Sequence, residues 1–239
     1  MPTITRARHI GRSTSTRKVV TYRSGHFTGF VPSQKNGRVI KYESILERDY
    51  IQLVEADPEI ESYTEQPEAI EWSDGIDTFK TTFDFAVEHV GGARHLIEVK
   101  PLSKVTKYRL DLLYGFARAA ALKNKYAEFE LWTDRELKAA PRLGNAELAV
   151  SAVTTTYDPD LLRQLLTAIR QISATTDRMT LRELRSTCGE SKDRRFYWPI
   201  VALVAKGSLV PADPCAPLDD RAVLIIPGAR PGSQTRRAG

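Results

Sequence analysis

The chain has 239 residues, 41% of them apolar, with 35 basic residues against 30 acidic ones for a formal charge of +5, which fits one large domain or two small ones with enough apolar material for a core. No run approaches the roughly 18 apolar residues of a membrane span, and MPTITRARHIGRSTSTRK lacks the apolar segment of a secretory signal, so a cytoplasmic protein with no membrane partner is expected. Cys188 and Cys215 are the only cysteines, and His9, His26, His89 and His95 show none of the zinc-site spacings, which sets aside a disulfide framework and structural zinc.

Charge is unevenly placed. Residues 1–40 carry Arg6, Arg8, Arg12, Arg17, Lys18, Arg23, Lys35 and Arg38 and no acid, a charge of +8. From Glu43 to Lys100, 15 acids stand against Arg48, Lys80, Arg94 and Lys100, a net near −11. A basic arm beside an acidic block suits a protein that holds a polyanion and concentrates carboxylates for a divalent metal. The plain alternative is a solvated tail.

In chain order, the basic arm runs to about residue 40, broken by Gly25, Gly29, Pro32 and Gly37, with SQKNGR as an exposed basic turn and little core of its own. ESILERDYIQLVEAD reads as a helix: Leu46, Tyr50, Leu53 and Val54 recur at helical spacing, and Pro58 lies just past the end. Short extended pieces follow, IESYTEQP, AIEW, TFKTTFDFAVEHV and RHLIEVK, with SDG and VGGAR as turn chemistry, so a meander is expected. VTKYRLDLLYGFARAAALKNK predicts a second long helix, and AEFELWT a buried strand after it. Strands, a long helix and a returning strand make an α/β sandwich over residues 41–150.

The character changes near residues 150–158. DPDLLRQLLTAIRQIS starts with an Asp N-cap and a Pro at the first helical position, and Leu161, Leu165, Ile169 and Ile172 keep one face apolar. TLRELRSTCG repeats the logic, with Thr180 and Glu183 as a capping box and Gly189 as a stop; RRFYWPIVALVAKG ends on Gly207. SLVPAD and AVLII then pair across PCAPLDD. Three helices and a hairpin give a small winged-helix-like domain over residues 151–228, followed by a tail, 229–239, expected to be disordered.

Chemistry concentrates in FDFAVEHVGGARHLIEVK, residues 83–100. Alternation along a strand puts Glu98 and Lys100 on one face, and Asp84 on a neighbouring strand reaches the same sheet edge. Two carboxylates held that close repel each other unless a cation joins them. Mg²⁺ accepts one or two carboxylates and leaves positions for water and phosphate oxygens, while a lysine stabilises an attacking hydroxide. The bland alternative is a surface pair of Glu98 with Lys100 and an Asp84 that merely ends a strand. Glu47 flanks the apolar face of the first helix, where it serves equally as a further metal ligand or as the partner of Ser44 in an S-x-x-E capping box.

These residues carry a resemblance. VPSQKNGRVIKYESILERDYIQLVEADPEIESYTEQP, then FDFAV, then IEVKP resemble, in motif order, the catalytic domain of TnsA-type transposon endonucleases, over about residues 15–135. The resemblance implies the restriction-endonuclease-like fold of the PD-(D/E)xK superfamily, a mixed sheet flanked by helices. It assigns Asp84 as the signature aspartate, Glu98 as the second acid, Lys100 as the lysine and Glu47 as the helix-borne acid. Gln66 matches a position near the site. Phe83 stands where the signature often has Pro, a position that shapes backbone and not chemistry. The implied activity is Mg²⁺-dependent cleavage of double-stranded DNA, Mn²⁺ substituting, at the 5′ strands of transposon ends. Asp84, Glu98, the Val99 carbonyl and Glu47 would hold metal. The implied partners are a DDE-type transposase subunit and an ATP-dependent regulator, and the implied location is the bacterial nucleoid.

DNA contacts are expected from Lys35 and Arg38 in the basic turn, and from Arg182, Arg185, Arg194 and Arg195 on the second and third C-terminal helices. Pro199 is expected to shorten or kink the third helix, which counts against a standard major-groove reader and leaves protein contact equally open. Two rival readings stand beside this one: a stand-alone phage or defence nuclease, and a non-enzymatic winged-helix DNA-binding or assembly protein.

Overall fold

The computed structural model describes residues 27–189 and 194–229. The basic arm up to residue 26 and the tail from residue 230 lie outside the described residues. The chain divides between Ala139 and Ala140 into two compact units. The sequence places that change some ten residues later, because Ala-rich RLGNAELAVSAV carries no obvious boundary signal; it belongs to the second unit. None of the helices among the described residues is long and apolar enough to cross a membrane.

The first unit opens with a hairpin, β1 (Gly29–Ser33) and β2 (Arg38–Tyr42), and helix α1 (Ile45–Ala56). Strands β3 (Ile60–Glu65), β4 (Ile70–Ser73), β5 (Thr78–Thr81), β6 (Phe85–His89) and β7 (Arg94–Val99) follow. Helices α2 (Leu102–Tyr108) and α3 (Leu110–Lys123), strand β8 (Glu128–Trp132) and helix α4 (Asp134–Leu137) complete it. The main sheet has the order β3-β6-β7-β8. Its first two pairings are antiparallel, and β8 joins β7 in parallel through the helical crossover such a pairing requires.

Three expectations are corrected. First, TFKTTFDFAVEHV is two strands. β4 and β5 form a hairpin of their own, and the break at residues 82–84 lets Phe83 turn into the core between Tyr114 and Phe129. Second, the long helix is broken at Arg109, which adopts a left-handed conformation with φ 52° between α2 and α3. Neither Gly nor Pro marks the break. Third, the basic turn is no free arm: Val31 and Ile40 are buried, and Ser33, Gln34 and Lys35 clasp α1 and β3.

Each face of the sheet buries one set of alternate residues. Phe85 meets Tyr50 of α1 at 5.2 Å between ring centroids, and Tyr50 also packs on Trp132. Ala86 and Leu96 point the other way, into a cluster with Ile70, Trp72, Phe83, Phe129 and the Ala117, Ala120 and Ala121 stripe of α3. Small residues on α3 let it approach the sheet closely, so Tyr114 reaches the sheet edge.

The second unit contains α5 (Arg142–Val153), α6 (Pro159–Ser173), β9 (Arg178–Thr180), α7 (Leu181–Thr187), a 3₁₀ turn (Arg194–Phe196), α8 (Tyr197–Ala205), β10 (Val210–Pro211) and β11 (Val223–Ile225). Its sheet is three-stranded, β10-β11-β9, because RMT before α7 adds a strand to the expected hairpin. Leu165, Leu181, Leu184, Ile200, Leu209 and Leu224 close its core. The third helix is shorter than RRFYWPIVALVAKG suggests: Arg194–Phe196 form the 3₁₀ turn and α8 starts at Tyr197, which leaves Pro199 in its first turn, where no N–H bond is lost. Thr180 and Glu183 make the expected capping box. Thr180→Ala is expected to cost about 1 kcal/mol, measured by urea unfolding of the full chain.

Candidate active site

The register that pairs Phe85 with Ile97 makes Asp84 and Glu98 the next cross-strand positions at the sheet edge. Ala86, Leu96 and Glu98 share the α3 face by alternation. Just before β6 begins, the Asp84 side chain continues the strand's hydrogen bonding: Oδ2 accepts the Val99 N–H at 2.8 Å. The same oxygen lies 3.1 Å from Lys100 Nζ, and Lys100 Nζ lies 2.6 Å from Glu98 Oε1. One ammonium therefore bridges two carboxylates. Asp84 and Lys100 keep side-chain exposures of 19% and 29%, so solvent reaches the cluster, while Glu98 is at 5%.

Tyr114 is the member the sequence did not disclose. Its hydroxyl donates to Glu98 Oε1 at 2.9 Å, and its ring is held edge-on by Trp72 and Phe83 and tilted against Phe129. A helix residue sixteen positions from its partner leaves no local signal. The phenol fixes Glu98 in one rotamer and directs Oε2 elsewhere. That Oε2 is buried without a hydrogen-bond partner, a position that costs free energy unless a cation or donor fills it.

Glu47, in the first turn of α1, makes half of the expected capping box: its N–H donates to Ser44 Oγ at 3.1 Å, while its carboxylate accepts the Glu43 N–H at 2.7 Å and the Ser44 hydroxyl at 2.9 Å, not the Ser44 N–H. It also feels the cluster. Burial first, then the charge of Asp84, pushes its carboxyl up to about 7. Glu98 is likewise raised to about 7, by burial and then by Asp84. For Lys100 burial opposes the charge, but Asp84 and Glu98 outweigh it and hold its pKa above the ordinary lysine range. Lys100 is thus a firm cation, not a proton acceptor.

These shifts set a pH dependence. A carboxyl raised from 4.5 to about 7 on folding binds more protons folded than unfolded between those values. Stability in the absence of divalent metal therefore falls as pH rises from about 4.5 to about 7 and levels off above. Glu47→Gln, which keeps the cap acceptor, is expected to make that decline shallower in denaturant titrations at stepped pH.

Gln66 follows β3 at φ 46°, a left-handed conformation costing about 1–2 kcal/mol for a non-glycine residue. Its N–H donates to the Asp84 carbonyl at 2.8 Å, which ties the end of β3 to Asp84. Val99 ends β7, buried beside the cluster.

Asp84, Glu98 with its unpartnered Oε2, and Glu47 are oxygen donors of the kind a hard divalent ion such as Mg²⁺ takes. The three carboxylates do not converge on one point; Lys100 stands between two of them. Among the described residues, the group whose ligand atoms all lie within 4.8 Å of one another is His89, His95 and Glu130. Zinc-type spacing in the sequence did not reveal it, because strand register brings it together.

The expected DNA contacts fare unevenly. Lys35 is turned inward: Nζ donates to the carbonyls of Asp57, at 2.8 Å, and Ile60. Arg38 forks onto Glu65 at 2.8 and 2.6 Å. Arg185 is buried and paired with Asp220. Structural roles replace the expected phosphate contacts for these three, since charge in a sequence does not report burial. Arg182 and Arg195 are exposed, and the Arg194 side chain lies outside the described residues. In comparisons with known proteins, no protein-family model matches the chain, and no curated protein matches it.

Proposed function

We propose that the chain is a Mg²⁺-dependent DNA endonuclease of restriction-endonuclease-like fold, with a winged-helix-like second unit. The observation that carries this reading is the Asp84–Lys100–Glu98 cluster at one sheet edge, with a buried carboxylate oxygen left unpaired. A purely structural ion pair has no use for that orphan oxygen, because a cross-strand pair at a solvated edge satisfies both partners.

Asp84, Glu98 and the Val99 carbonyl would hold the ion, with Glu47 as a further ligand or a partner of its water. When bound, Mg²⁺ supplies Lewis-acid stabilisation of negative charge on the phosphate. The protein's own residues do the rest. Lys100, permanently charged, positions the attacking water and stabilises the charge that grows on the phosphorane oxygens. Glu47, poised near neutrality, accepts the proton that water loses as its oxygen bonds to phosphorus. Tyr114 keeps Glu98 oriented, and Gln66 fixes the Asp84 backbone. The scissile P–O bond breaks and the leaving oxygen takes a proton from solvent.

Arg182 and Arg195, with Arg194, are the second unit's contacts to DNA in this reading. The resemblance to TnsA-type subunits extends it to work beside a DDE-type transposase and an ATP-dependent regulator, with cutting at the 5′ strands of transposon ends. Calorimetric titration with Mn²⁺ tests the metal claim. Wild type is expected to show a binding event that disappears in Asp84→Ala; Mn²⁺ uptake indifferent to Asp84 would remove the proposal's basis.

A further inference from the structure

The pairing of β6 with β7 sets Val87 opposite His95, so His89, two residues on, is the diagonal neighbour of His95 on the same face. The parallel pairing of β7 with β8 sets Ile97 opposite Glu130, again on that face. Two imidazoles and a carboxylate thereby meet. The histidine rings are 4.2 Å apart, and His95 Nδ1 is 2.5 Å from Glu130 Oε1. All three side chains are partly exposed, so an ion has a path in.

We propose that His89, His95 and Glu130 form a second metal site, for a borderline divalent transition ion of which Zn²⁺ is the type. Two imidazole nitrogens and one carboxylate oxygen are a three-ligand zinc set that leaves the fourth position to water. Mg²⁺, which takes oxygen ligands, is the poorer match. The outer contacts suit the role: Trp132 Nε1 donates to Glu130 Oε2 at 2.7 Å and holds the carboxylate in place. Bonds of about 2.0–2.1 Å in a tetrahedron put ligand atoms roughly 3.3 Å apart, so His95 and Glu130 open by less than about 1 Å on loading. The site is independent of the nuclease reading. It lies on the other face of the sheet from Glu98, about 10 Å along β7 at the strand rise. Its effect is to staple β6, β7 and β8, the strands that position Asp84, Glu98 and Glu130.

The experiment uses the full chain, stripped with a chelator and titrated with Zn²⁺ by calorimetry and with Co²⁺ by visible absorption. Expected are one high-affinity Zn²⁺ whose binding survives Asp84→Ala and a Co²⁺ ligand-field spectrum. Affinity is expected to fall by about 100-fold in His95→Ala and about 10-fold in Trp132→Phe. The melting temperature of wild type rises with Zn²⁺, since the ion binds the folded chain. Ring resonances of His89 and His95 shifting on Zn²⁺ addition to wild type keep the test valid where a variant fails to fold. Absent Zn²⁺ binding, unmoved ring resonances, or binding kept in His95→Ala and lost in Asp84→Ala would overturn the proposal and leave His95 and Glu130 as a plain ion pair.

Discussion

Lys100→Ala is expected to reduce metal-dependent DNA cleavage by about 10²–10³-fold, the usual loss when one preorganised charge stabiliser is removed, while divalent-metal binding is retained or tightened. Both effects follow from the ammonium's place between Asp84 and Glu98. Without it two carboxylates face each other unscreened, and a divalent cation becomes the only charge that reconciles them. Asp84→Ala behaves differently. It removes the acceptor of the Val99 N–H, one partner of Lys100 and one proposed metal ligand, so metal binding and cleavage are both expected to fail. Plasmid nicking beside Mn²⁺ calorimetry separates the two variants. Equal loss of metal binding in both would show that Lys100 builds the site and does not act within it.

Glu65→Ala is expected to destabilise the first unit by about 3–5 kcal/mol, because it strands a guanidinium that the fold has already taken out of water. Glu65 is 2% exposed and Arg38 13%, and both fork bonds are short. Replacing both residues by methionine is expected to be near neutral, since no uncompensated charge remains. Denaturant unfolding of the single and double variants checks this. An Arg38→Ala chain that keeps its stability and loses DNA affinity would instead return Arg38 to the surface role its charge suggested.

What the sequence disclosed follows from what is local. Tyr50, Leu53 and Val54 at helical spacing, the Asp158–Pro159 start and the Thr180–Glu183 box mark α1, α6 and α7 through interactions spanning four residues or fewer. Asp84, Glu98 and Lys100 were legible because a hairpin and a period of two suffice to bring them together. The break at Arg109 was not, since a left-handed residue that is not Gly leaves no mark in the sequence. Tyr114 and the His89–His95–Glu130 group depend on helix placement and three-strand register, which no short motif records. Lys35, Arg38 and Arg185, expected at phosphates, meet protein acceptors instead, and a long cationic side chain looks the same in sequence whether it meets phosphate or a buried acceptor.

The most direct test of the proposed nuclease centre is nicking of supercoiled and branched DNA by the purified chain with Mg²⁺ or Mn²⁺, run beside Asp84→Ala and Lys100→Ala, alone and with a candidate transposase partner. Cleavage that requires the metal and is lost in both variants is expected. Cleavage that persists in the variants, or none under any of these conditions while DNA binding is retained, would contradict it and favour a binding or assembly role.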